Sequence, residues 1–189
     1  MEKNSVQKAA GVLDILVLIT LACNLIALLL VPGLVLTKGL GELASLTPYE
    51  NPPELLLRVL TVCVLSWKWI WQAGSYETVL ALFLLFSGCC TVPILWQARR
   101  VLKTILKGAP FAQENAASLR RAAACCFLIA GAALVRVIFS VWYYRSLLPL
   151  ASYNALFVPM FAMAGLLCRV MSALFRQAAE LKAENDLTI

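Results

Sequence analysis

The sequence has few side chains that could do chemistry, and they lie within or beside long apolar stretches. Arg136 interrupts one such stretch, while Asp14, Glu77 and Arg169 lie at the ends of others. If these stretches cross a membrane, each charge marks either a structural ion pair or part of a substrate or proton path. By depth, Glu77 is the acid nearest to Arg136. Asp14 and Arg169 lie at the same end of their spans and could also pair.

The residue types exclude most membrane-enzyme chemistry. There is no histidine, which removes a histidine general base, histidine-ligated haem and histidine-ligated zinc. None of the seven cysteines forms a Cys-x-x-Cys motif. The adjacent pairs 89–90 and 125–126 point to different helix faces, which argues against a metal site on one helix. We therefore expect no catalytic residue, cofactor or metal, and a protein that is not an enzyme.

The composition predicts an all-α membrane protein that forms a single domain over residues 1–189. The chain is 62% hydrophobic and 14% charged, whereas soluble domains are about 25% charged. A bilayer core needs roughly 20 apolar residues as a helix. The four predicted transmembrane helices cover approximately residues 11–37, 78–98, 122–144 and 150–171. The first is a retained span rather than a signal peptide, because Asp14 stands at its start and its apolar run is too long.

The distribution of basic residues predicts the orientation. Eleven lie on the side that holds the N-terminus, the inner loop (residues 99–121) and the tail (172–189). Four lie on the side that holds the outer loop (38–77) and Arg145. Because cytoplasmic loops collect Lys and Arg, both termini and the inner loop are predicted to be cytoplasmic. Topology and contact with anionic lipid account for the net charge of +6, so we expect no direct nucleic-acid binding.

An outer segment, residues 55–72, lies between the first two spans. Arg58 and Lys68 interrupt its apolar character, and Trp67, Trp69 and Trp71 cluster near its end. Tryptophan favours the membrane interface, so we interpret the segment as an amphipathic helix on the outer leaflet. Two alternatives stay open, namely a fifth span and a short strand that the alternating tryptophans would also suit.

The inner loop predicts a helical hairpin. The helix of the second span is expected to run to about Lys107, because Gly108 suits a left-handed C-terminal cap and Pro110 blocks continuation. A new helix begins near Ala112 and continues into the third span. The tip of this hairpin is therefore basic and cytoplasmic.

The tail predicts a helix that leaves the fourth span. An apolar stripe at spacings of three and four runs from Met171 to Leu181, and the helix is expected to end near Asn185. Glu184 and Asp186 then lie at a helix C-terminus, where the dipole disfavours acids. Two interpretations stay open: a solvated tail, or a docking site whose acids meet the arginines of the inner loop or a basic partner.

Two patches of the sequence resemble a known family. They are "KGAPFAQENAASLRR" after the second span and "FRQAAELKAENDLTI" after the fourth. The family consists of bacterial four-span membrane proteins catalogued as a domain of unknown function. The matching positions are Pro110, Phe111, Asn115, Leu119, Arg120 and 184–188. Ala112 stands where the family often has Ser or Thr. The resemblance implies the bacterial cytoplasmic membrane, and a gene beside that of a small Cro/Xre-type helix-turn-helix regulator.

Two functional hypotheses follow. The first is a regulatory membrane protein that engages a cytoplasmic partner, such as that regulator, through the inner loop and tail. Its predicted docking residues are Arg99, Arg100, Pro110, Phe111, Asn115, Arg120, Arg121, Glu184, Asn185 and Asp186. The alternative is a small oligomeric transporter or channel that uses Arg136, Asp14 and Arg169. Besides the lipid bilayer, the predicted partners are the regulator and further copies of the chain.

Overall fold

Long helices account for most of the structure. The computed structural model describes residues 2–36, 57, 61, 64–108 and 112–187. The four long helices are α1 (Glu2–Leu36), α2 (Ser75–Leu106), α3 (Gln113–Tyr144) and α4 (Tyr153–Leu187). Short 3-10 turns occupy Ile70–Gln72 and Leu148–Ala151. Within these ranges there is no strand, so the all-α prediction is confirmed.

Each of the four helices is long and apolar enough to cross a membrane. The first three predicted spans fall within α1, α2 and α3 over their described residues. The fourth begins later than expected, at Tyr153, because residues 148–151 form a 3-10 turn that carries Pro149 near its start. All four helices extend beyond the predicted spans, since apolar length sets only the minimum needed to cross the bilayer.

The helices pack in chain order, each antiparallel to the next. α1 packs on α2, α2 on α3 and α3 on α4. The end that holds the α2–α3 turn is called the basic end here, and the opposite end the aromatic end. α3 lies between two neighbours. Of its most apolar 18-residue segment 44% is buried, against 11% or less of the corresponding segment in each of the other three helices. It therefore supplies most of the interior, and the other helices expose apolar side chains that suit lipid contact.

Small residues let α3 approach its neighbours closely. Its buried positions include Ala116, Ala123, Ala130 and Val137, each seven residues after the one before. That repeat keeps one seam of a helix facing its partner. On α4, a Cβ added at Gly165 would lie 3.0 Å from the ring of Phe127. Close contact of small residues is how membrane helices associate, because lipid removes the hydrophobic drive between them.

The contact between α1 and α2 combines a hydrogen bond with an apolar cluster. The Asn24 side-chain amide donates to the Gly88 carbonyl at 3.1 Å. A Cβ at Gly88 would lie 2.5 Å from Leu28, so the glycine allows this approach. Towards the aromatic end, four buried apolar side chains form a cluster: Val31, Val35, Ile70 and Ala81. Asn24 thus has a packing role.

The turn between α2 and α3 follows the predicted hairpin. α2 ends at Leu106, and Gly108 has a φ of +78°, a conformation that glycine adopts without strain. Ala112 precedes α3 without a side-chain cap, since alanine has no acceptor. The hydroxyl of Thr104 lies 2.7 Å from Oδ1 of Asn115, joining the two helices. The hairpin is therefore confirmed, while Pro110 and Phe111 lie outside the described residues.

The described part of the outer segment is helical. Residues 57, 61 and 64–69 have helical conformation and lead into the 3-10 turn Ile70–Gln72. The strand alternative is therefore wrong for these positions. Ile70 is buried in the α1–α2 cluster, whereas Trp69 and Trp71 are about two-thirds exposed. Ile70 thereby attaches this part of the segment to the aromatic end, with Trp69 and Trp71 outward.

Candidate functional site

A groove lined by arginines lies between α3 and α4 at the basic end, with a volume of about 760 Å³. Its four arginines, two from each helix, are Arg120, Arg121, Arg169 and Arg176. The rest of its lining consists of alanines with one serine and one glutamine, and no acidic residue. The Ser172 hydroxyl donates to the Ala116 carbonyl at 2.7 Å and holds the two walls together. We call this feature the basic groove.

The periodicity of both helices builds the basic groove. Positions 113, 116, 117, 120 and 124 follow one face of α3, and positions 169, 172, 173 and 176 follow one face of α4. These are the spacings of three and four that align residues on a helix. The short side chains on both faces leave room between the arginines. Arg176 was not a predicted docking residue. Its spacing of seven from Arg169 could have indicated that the two arginines share one face of the helix.

A second cavity, the Arg136 cavity, lies at the aromatic end and has a volume of about 420 Å³. Arg136 belongs to its lining and is only 7% exposed. Its guanidinium carbon lies 4.8 Å from the centroid of the Phe83 ring, a cation–π distance. Tyr76 and Tyr144 line the same cavity, with ring centroids 5.3 Å apart.

The expected pairing of Arg136 with Glu77 is not present. Among the described residues, no acidic side chain lies within ion-pair distance of Arg136. Glu77 stands in the first turn of α2, and its carboxylate lies beside Gly74. Glu77 was predicted as the partner because it is the acid nearest to Arg136 in depth along the membrane normal. In the structure, the side chain of α2 that lies over the Arg136 guanidinium is the Phe83 ring.

Asp14 pairs with a different arginine from the expected one. Its Oδ1 lies 3.2 Å from Nε of Arg99 on α2. Arg169, the expected partner, belongs instead to the basic groove. The pairing with Arg169 is therefore wrong, because α1 borders α2, whereas α4 packs on α3.

The structure separates the predicted docking residues. Arg120 and Arg121 share the basic groove, and Arg100 is exposed outside its lining. Asn115 is 1% exposed and bonded within the hairpin, which places it away from any surface. Glu184 is exposed on α4, whereas the side chains of Asn185 and Asp186 are outside the described part.

The cysteines and acids form no cluster that would suggest other chemistry. Six described cysteines are free thiols, and Cys63 lies outside the described residues. Over the described ranges, no three Cys, Asp or Glu side chains group as a metal ion would require. The two concave features lined by arginine are therefore the candidate sites.

Four antiparallel apolar helices with arginine-lined cavities at both ends define a helical membrane protein. The chain matches the family model described as "Protein of unknown function (DUF2975)" over residues 64–189 and belongs to that family. The matched region contains α2, α3 and α4, and hence both cavities, and leaves α1 outside. No curated protein and no solved structure matches the chain.

Proposed function

We propose that this protein is a non-enzymatic regulator in the membrane, and that its basic groove binds an acidic segment of a cytoplasmic protein. The observation that carries the proposal is the convergence of Arg120, Arg121, Arg169 and Arg176 on one groove without an acid in its lining. Arginine presents a planar set of donors that matches carboxylates, so such a groove favours an acidic peptide.

The dimensions of the basic groove favour a peptide over a single ion. Its volume of about 760 Å³ lies in the range of ligand sites, about 300–1,000 Å³. The one described ion pair at its edge, between Arg176 and Glu180, is 3.4 Å long and well exposed. An exposed pair is worth about 1 kcal/mol or less, so a partner carboxylate displaces it at little cost.

The tail is placed to extend such an interaction. α4 continues beyond the groove, and Glu184 lies eight residues after Arg176, which is about 12 Å along a helix. Leu181 is exposed on that extension. A partner long enough to reach both the groove and this extension would add buried area to a charge-based contact.

A transport role for Arg136, Asp14 and Arg169 has less support. A transport path requires these residues to line one continuous route. Asp14 is bonded to Arg99 near the basic end, and Arg169 lies in the basic groove. Arg136 belongs to a separate cavity, and it lies 15 residues along α3 from Arg121, about 22 Å in a helix.

The test is capture of the helix-turn-helix regulator that the family resemblance implies is encoded beside the gene, with purified protein in nanodiscs as bait. The double variant Arg120→Gln/Arg169→Gln is expected to weaken capture by about tenfold or more, since charge-assisted hydrogen bonds contribute about 1.5–3 kcal/mol each. Arg145→Gln, which removes an exposed charge at the opposite end of the molecule, is the matched control and should retain capture.

Three results would contradict the proposal. One is a regulator that is not retained by the intact protein. Another is equal capture by the double variant and by the control. Third, if the double variant changes only the binding of anionic lipid, the basic groove is a lipid site, and the docking proposal fails.

A further inference from the structure

We infer that the Arg136 cavity binds an amphiphilic anion, with a phosphate or carboxylate group at Arg136 and an apolar body against the surrounding side chains. This inference does not rest on the proposed function, because the cavity lies at the opposite end of α3 from the basic groove.

The buried charge of Arg136 is the first reason. The residue is 7% exposed and lies eight residues before the end of α3 at Tyr144, or about 12 Å into the helix. At that depth its side chain cannot easily extend to the interface. A buried cation is costly unless a counter-charge compensates it.

The described residues provide only part of that compensation. The Phe83 ring covers Arg136 at 4.8 Å, and a ring contact leaves the in-plane donors of a guanidinium available. No described residue accepts a hydrogen bond from this guanidinium. Its nitrogens are unbonded within the described part and keep some accessible surface. We take that surface to face the cavity, because Arg136 belongs to its lining.

The remaining lining defines the rest of the ligand. The rings of Tyr76 and Tyr144, with Val137 and Leu148, present apolar surface, whereas Asn154 adds a polar group. The volume of about 420 Å³ suits a small organic molecule or one lipid headgroup with the start of its chains. A planar guanidinium binds phosphate and carboxylate through two parallel hydrogen bonds. The chemistry therefore favours an anion with an apolar body over an inorganic ion.

The cavity reaches the connection between α3 and α4, because Ser146, Pro149 and Ser152 also line it. Ser152 donates to the Pro149 carbonyl at 2.6 Å, and Ser146 accepts from the Leu148 amide at 3.2 Å. These bonds hold the connection in place above Arg136. A ligand can therefore enter from the interface at the aromatic end, either from water or from the adjoining lipid leaflet.

The experiment measures binding of octyl phosphate to the full chain in phosphatidylcholine nanodiscs, with empty nanodiscs to correct for partition. One bound molecule per chain is expected, and octanol should not compete for it. Arg136→Gln should weaken binding about 10- to 150-fold, as expected for loss of a charged hydrogen-bond donor. Arg145→Gln, which removes an exposed charge at the same end outside the cavity lining, should leave binding unchanged.

A second pair of variants tests the site if Arg136→Gln fails to fold. Asn154→Phe narrows the cavity and leaves Arg136 in place, so it should also reduce binding. Leu147→Phe changes an exposed residue outside the lining and is its control. If octyl phosphate binds no better than octanol, or if Arg136→Gln and Asn154→Phe bind it as the intact protein does, the inference is overturned.

A second arm identifies the source of the anion. Nanodiscs in which phosphatidylglycerol replaces part of the phosphatidylcholine should lose octyl phosphate binding if the ligand is a membrane lipid. Unchanged binding in those nanodiscs would assign the cavity to a soluble amphiphile. The Arg136→Lys variant keeps the charge but cannot form the two parallel hydrogen bonds of a guanidinium. If phosphatidylglycerol displaces octyl phosphate equally from this variant and from Arg145→Gln, the proposed recognition of the anion by two parallel hydrogen bonds is wrong.

Discussion

Neutralising Asp14 is expected to weaken the contact between α1 and α2, because its carboxylate is bonded to Arg99. The informative experiment is a double-mutant cycle with Asp14→Asn, Arg99→Gln and both together. Such a cycle isolates the energy of the pair from other effects of each substitution. A parallel cycle with Asp14→Asn and Arg169→Gln tests the pairing that depth alone had favoured.

The magnitude follows from the geometry. The two atoms lie 3.2 Å apart, for which Coulomb's law gives about 5 kcal/mol at an effective dielectric constant of about 20, and about 1 kcal/mol in water. The side chains are 26% and 20% exposed, so solvent screening and desolvation both reduce the net value. We therefore expect a coupling of about 1–2 kcal/mol, in the range of charged hydrogen bonds.

The assay is reversible unfolding in mixed micelles as the fraction of dodecyl sulfate rises, followed by tryptophan fluorescence. The Asp14/Arg99 cycle should show the expected coupling, whereas the Asp14/Arg169 cycle should show none, because Arg169 lies in the basic groove. Equal coupling in the two cycles, or none in the first, would refute the packing of α1 beside α2.

Two further predictions concern helix packing and orientation. Gly165→Leu should destabilise the protein by about 1–3 kcal/mol, because an added Cβ already lies 3.0 Å from Phe127. Gly131→Leu is the control, since a Cβ there meets nothing within 4 Å, and equal losses of stability in the same unfolding assay would contradict close α3–α4 contact. In intact cells carrying a variant with its native cysteines replaced by serine, an impermeant thiol reagent should label Leu147→Cys and spare Gln113→Cys. The opposite labelling would invert the predicted topology.

The helices could be predicted from sequence because the signal for each is local. An uncharged run of about 20 residues must form a helix in lipid, since every backbone donor and acceptor needs a partner within the segment. The turn after α2 was equally local. Gly108 suits the left-handed conformation, and it has a φ of +78°. The start of α4 was missed by about three residues, because apolarity does not distinguish the 3-10 turn Leu148–Ala151 from the helix after it.

Charged pairs could not be predicted in the same way. The positions of Asp14 and Arg136 in their spans indicate depth, and at each depth the other helices offer more than one neighbour. Depth favoured Arg169 as the partner of Asp14 and Glu77 as the partner of Arg136. The structure instead places Arg99 beside Asp14 and Phe83 beside Arg136. Asn115 shows the same limitation, because its match to the family motif suggested a docking residue and its position within the hairpin made it a buried one.

The sequence by itself determined that the protein has four apolar helices, where each charge lies along its helix, and which end collects the arginines. Only the tertiary structure decided that Arg120 and Arg121 share a groove with Arg169 and Arg176, and that Arg136 faces a cavity. The physical reason is that helix formation in lipid depends on hydrogen bonds within one segment. Lateral packing depends on the fit between side chains of different helices, and small residues along α3 decide which helices approach it.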